Sequence, residues 1–133
     1  MALQDILIRE VFMCTKRLRY HIIESIKLLA SDGDIQLSYY PEFVCKGDEI
    51  ANSLGDWLFL YQEKSVRDND YAFSPKELIQ IISLDEDISM LAPEEFSNYA
   101  IINSDKWKDI REKAKGILLL LNEKYSLPDE RSI

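Results

Sequence analysis

Residues 104–125 read SDKWKDIREKAKGILLLLNEKY, and the fold class follows from this stretch. Trp107, Ile110, Ala114, Ile117, Leu118, Leu121 and Tyr125 recur every three or four residues. That spacing places them on one face of a helix. Ser104 stands where a hydroxyl can accept from an unpaired N–H of the first turn, and Asp105 where the helix dipole favours an anion. Lys106, Lys108, Arg111, Glu112, Lys113 and Lys115 fall on the other side. From Leu118 to Leu121 four leucines are consecutive. A turn apolar all round predicts burial all round, so this half of the helix is expected to run through the core and the first half along the surface. The run is far shorter than the ~20 apolar residues of a membrane span.

Working outward, residues 3–30 carry Leu3, Leu7, Val11, Cys14, Leu18, Ile22 and Leu29 at the same spacing, which predicts one long amphipathic helix. Ser31-Asp32-Gly33-Asp34 ends it, with Gly33 expected to supply a positive φ. Residues 35–44 are the least helical, and at most one short extended segment, a strand or an extended loop packed on the bundle, is expected there, held off any interior strand position by Pro41. Residues 46–64 predict a third helix on Ile50, Leu54, Trp57, Leu58 and Tyr61, followed by an exposed linker at 65–73. Ser74-Pro75-Lys76-Glu77 is a capping box with proline at the first helical position, so a helix starts there and runs to about Ser83. Ser83 and Glu86 repeat the pattern and predict a second, short helix. Pro93 opens another, and residues 98–103 link to the final helix. The chain therefore reads as an all-α single domain over residues 1–126. Two long terminal helices pack with a mid-chain helix, short helices cap one end, and residues 127–133 form a frayed tail.

The chain has 133 residues and a net charge of −8. Fifteen acids and only four bases fall within residues 32–104, a net of −11, while the two flanks are slightly positive. Such a surface repels nucleic-acid phosphate and favours a basic partner. No apolar run long enough for a signal peptide or membrane helix appears. Cys14 and Cys45 do not form a disulfide framework, which predicts a reducing cytoplasm.

No catalytic set emerges. His21 follows Cys14 by about 10 Å along a helix, too far for a nucleophile–base pair. His21 and Glu24 lack the second histidine and further glutamates of a metal-binding bundle, so His21 is expected at the surface or the core boundary. A calcium loop starting at Asp32 would need Gly and Glu where Leu37 and Phe43 stand. No phosphate-cradling glycine loop is present. The basic knot at residues 15–20 reads as a solvated helix face. Neither a cofactor nor a metal is expected.

The acidic middle is the candidate site. Asp68, Asp70 and Tyr71 lie in the expected linker, Asp85, Glu86 and Asp87 open one short helix, and Glu94 and Glu95 open another. Clustered acids steer a basic protein partner, and Tyr39, Tyr40, Tyr71 and Tyr99 are candidate anchors. A small, acidic, cytoplasmic chain without a catalytic set is similar in profile to bacterial immunity proteins that neutralise nuclease-type toxins. That likeness implies a non-enzymatic inhibitor of a basic protein, with no nucleic-acid or membrane partner. The alternative is a helical scaffold or regulatory subunit that associates through apolar faces, identified by a stable oligomer or a large exposed apolar patch.

Overall fold

The structure, a computed structural model, describes residues 14–129. Among these the chain is all-α: α1 (Thr15–Ala30), α2 (Gly33–Ser38), α3 (Lys46–Asp68), α4 (Pro75–Ser89), a 3₁₀ turn (Pro93–Phe96), α5 (Asn98–Asn103) and α6 (Asp105–Leu120). The stretch 3–13 of the expected first helix lies outside the described residues. Cys14 has extended backbone, φ −77° and ψ 161°, so helical geometry begins at Thr15. The longest described helix is α3, with 23 residues.

One apolar cluster joins all the longer helices. Leu18, Ile22, Ile26 and Leu29 of α1 meet Ile50, Leu54, Leu58 and Tyr61 of α3, Ile81, Leu84 and Ile88 of α4, and Trp107, Ile110, Ala114, Ile117 and Leu118 of α6. α1 packs against both α3 and α6, and α4 closes against α6 and α3. Full burial of such side chains contributes about 1.5–3 kcal/mol each, which is why a period of three to four residues suffices to specify the helices.

Several local expectations are overturned. Residues 35–44 contain no strand. Gly33–Ser38 is helical, and Gln36 is fully buried there because its Nε2 donates to the carbonyls of Leu28 and Leu29, 3.1 and 3.2 Å away. It thus satisfies acceptors that the end of α1 leaves open. Gly33 does not have a positive φ; the left-handed residues are Asn69 and Asn122. A β-carbon at Gly33 would instead lie 2.8 Å from both the Ile101 oxygen and the Ile102 Cα, so glycine allows α2 to touch α5.

α3 continues four residues past 64, through the expected linker, with buried Ser65 still on its core face and Asn69 capping it. α4 does not restart at Ser83. The stripe Ile81, Leu84, Ile88 stays in phase with the core, and Lys113 Nζ donates to the Ser83 hydroxyl at 2.6 Å, leaving no free cap. The link at 98–103 is itself a short helix, α5, capped by Ser97.

The leucine run is not buried all round. Ile117, Leu118 and Leu121 are buried, but Leu119 is 80 % exposed and Leu120 is exposed too. Successive side chains point about 100° apart, and the described neighbours cover only part of α6, so part of the consecutive run faces out. The first half lies on the surface as expected, with Trp107, Ile110 and Ala114 buried and Lys106, Lys108, Asp109 and Glu112 exposed.

Residues 127–129 are held against α1. The Asp129 N–H donates to Glu24 Oε1 at 3.2 Å, Tyr39 donates its hydroxyl to the Pro128 carbonyl at 2.8 Å, and Tyr20 donates to Asp129 Oδ2 at 2.9 Å. This part of the expected frayed tail is docked; residues 130–133 lie outside the described residues. No helix among the described residues is long and apolar enough to cross a membrane.

Candidate functional site

The acidic residues singled out by sequence divide between two places. Asp68, Asp70 and Tyr71 stand where α3 ends, before α4 begins, whereas Asp85, Glu86 and Asp87 lie in the last turns of α4. Ten residues of helix, about 15 Å, separate Pro75 from Asp85, so the two groups do not form one patch. The first group is largely engaged. Asp68 Oδ2 is 2.9 Å from Lys64 Nζ, and Asp70 Oδ2 accepts from the buried Thr15 hydroxyl at 2.7 Å. Asp70 therefore fastens the start of α1 to the α3–α4 loop. Arg19 reinforces that junction by donating to the Ala72 carbonyl at 3.0 Å and lying over the Phe73 ring.

In the second group, Asp87 is also engaged, paired with Lys113 of α6 at 2.6 Å. Asp85 and Glu86 are not. The Asp85 carboxylate lies over Gly55 of α3, next to Asp56. Burial raises the Asp85 pKa, and the nearby Asp56 and Glu86 charges raise it further. Burial alone raises that of Asp56. Among the described residues no lysine or arginine forms an ion pair with Asp56, Asp85 or Glu86. The sequence reading missed Asp56. Its signal was a carboxylate next to Gly55, a mid-helix position of α3 without a side chain to hold a neighbouring helix away.

Glu94 and Glu95 sit on the 3₁₀ turn near the start of α3, where a β-carbon at Gly47 would run into the Phe96 carbonyl. Trp107 donates its indole N–H to the Glu95 carbonyl at 2.7 Å, which fixes the turn onto α6. Glu94, Glu95, Tyr99 and Lys106 border an open groove of about 440 Å³. It is open and shallow, unlike the enclosed pockets that hold small ligands.

The remaining candidates are structural. His21 is buried and stacked on Trp57, ring centroids 4.1 Å apart, in place of the surface or boundary position expected of it. Tyr39 serves the docked tail, and Tyr40 donates to the Glu49 carbonyl at 3.4 Å with its phenol pKa raised chiefly by burial. Tyr71 and Tyr99 are exposed. Cys14 and Cys45 are exposed free thiols. No group of three or more His, Cys, Asp or Glu among the described residues has metal-binding geometry.

No protein-family model matches the chain, and no curated protein or solved structure matches it either.

Proposed function

We propose that this chain is a non-enzymatic binding protein whose acidic face receives a basic protein partner, as a toxin-neutralising immunity protein does. The observation that carries the reading is the meeting of Asp56 and Asp85 across α3 and α4, with Glu86 beside them and no cation paired to any of the three among the described residues. Like charges held together repel, as the Asp56 and Glu86 charges do at Asp85, and a cationic partner removes that cost on binding. The proposed surface is narrower than the acidic middle as a whole, because Asp68, Asp70 and Asp87 already have internal partners. The reading places the chain in a reducing compartment, where its two exposed thiols stay free.

The test is capture of a partner at low salt, followed by its association rate against ionic strength. The rate should fall steeply between about 0.01 and 0.15 M salt, where the screening length shrinks from roughly 30 to 8 Å. Asp56→Asn with Asp85→Asn should slow association at low salt and flatten that dependence. A rate indifferent to salt would discard the proposal.

A further inference from the structure

Among the described residues no helix covers the face of α3 turned away from the core. Ile50, Leu54, Leu58, Tyr61 and Ser65 mark the buried side. At 100° per residue, Asp48, Asn52, Asp56, Phe59, Glu63 and Val66 fall within an arc of about 80° on the opposite side, with exposed Arg67 about 20° beyond its edge. All six are exposed; Phe59 is 61 % and Val66 72 % exposed. α1 and α4 flank α3, and Asp85 of α4 borders the arc at Gly55. Among the described residues, Asp48, Asp56 and Glu63 form no ion pair. The arc therefore carries three carboxylates that form no ion pair among the described residues, with Arg67 as the one cation at its edge and two large apolar side chains between and beyond the acids.

The spacing identifies what fits. Phe59 and Val66 are seven residues apart, two turns and about 10.5 Å, the repeat at which one helix presents apolar side chains to another. Asp56 and Glu63 each precede one of them by three residues, so acid and apolar positions alternate along the same line. An extended or purely electrostatic partner would have no use for that repeat. From this arrangement we infer that the outer face of α3 docks an amphipathic, basic helix of another protein. The apolar side chains of that helix cover Phe59 and Val66, and its lysines or arginines meet Asp48, Asp56 and Glu63. The inference rests on the acidic-face reading above and specifies its partner: charge brings the helix in, and the two apolar side chains set its register.

The probe is a labelled synthetic peptide of about three heptads, made of leucine, alanine and lysine. Leucines stand one heptad apart with lysines beside them, and a scrambled peptide of identical composition is the control. The patterned peptide should bind at least about tenfold more tightly than the scrambled one. Phe59→Ala with Val66→Ala should abolish that preference yet leave the salt dependence intact, whereas Asp56→Asn with Glu63→Gln should weaken both peptides and flatten it. Circular dichroism of each variant confirms that the exposed substitutions leave the helices in place. Equal binding of the two peptides would overturn this inference while leaving the acidic-face reading standing. Binding of neither at low salt would overturn both. Self-association lost in the Phe59→Ala, Val66→Ala variant, seen by sedimentation at several concentrations, would assign the face to a second copy of the chain and overturn the basic-helix partner.

Discussion

Asp85 lies over Gly55: a β-carbon at Gly55 would stand 3.1 Å from Asp85 Oδ1. The contact is close, but the far end of a flexible side chain makes it. No cation among the described residues holds that carboxylate in place. Gly55→Ala should therefore displace Asp85 toward water at little cost and gain helix propensity. The expected net effect is a stabilisation of about 0.5–1 kcal/mol in urea unfolding. A destabilised variant would mean that Asp85 is fixed more firmly than its surroundings indicate.

The raised pKa values of Asp56 and Asp85 set the sign of a pH effect. An acid whose folded pKa exceeds its unfolded value favours the fold when protonated. That contribution is complete below the ordinary aspartate value of 3.8 and is lost as pH rises through the raised one. At neutral pH both groups oppose folding. Asp85→Asn should then be more stable than the parent at pH 7, with the gap closing as pH falls through the raised pKa toward 3.8. Denaturant titrations across this range read the difference directly, and a gap that widens on acidification would contradict the assignment.

Glycines at close approaches should respond in the opposite sense to an open one. A β-carbon at Gly47 would strike the Phe96 backbone, and that backbone cannot swing aside. Gly47→Ala should destabilise by about 1–3 kcal/mol or more as the 3₁₀ turn is pushed from α3. Gly116 in α6 has open space around it, so Gly116→Ala should stabilise by up to about 1 kcal/mol. Chemical denaturation of the pair tests the packing of the turn without reference to any partner.

Trp107 is fully buried and its indole N–H reaches the Glu95 carbonyl at 2.7 Å. Trp107→Phe removes that hydrogen bond and leaves a void, so a loss of about 1–3 kcal/mol is expected. Faster amide exchange at residues 94–97 should accompany it, because the same bond holds the turn to α6. Unchanged exchange there would show that the turn is held by Gly47 and Phe96 instead.

The helices were legible because each carries its own evidence. Ser74 and Glu77 form the capping box their spacing predicts, with Ser74 Oγ accepting from the Glu77 N–H at 3.2 Å and Glu77 Oε1 from the Ser74 N–H at 2.7 Å. Ser104 caps α6 through its hydroxyl, as expected. The apolar periods of α1, α3, α4 and α6 identify their buried faces by local rules alone, since a helix places every third or fourth residue on one side whatever it packs against. The excess of acid in the middle of the chain is likewise a property of the sequence.

What packed against each helix was decided only in three dimensions. The apolar period of α6 puts Leu118 and not Leu119 on its inner face, but that Leu119 faces water and not a second neighbour follows only from the packing, since the described helices cover only part of α6. Gln36 reads as a loop residue until the end of α1 offers it two carbonyls. Asp68, Asp70 and Asp87 look as free as Asp56 and Asp85 until Lys64, Thr15 and Lys113 are seen beside the first three and a second carboxylate beside the others. Periodicity is a short-range property that the chain carries with it. Asp68 and Lys64 are one helical turn apart, but Asp85 and Asp56, or Asp87 and Lys113, are more than twenty residues apart, and only the closing of α4 against α3 and α6 brings them within reach.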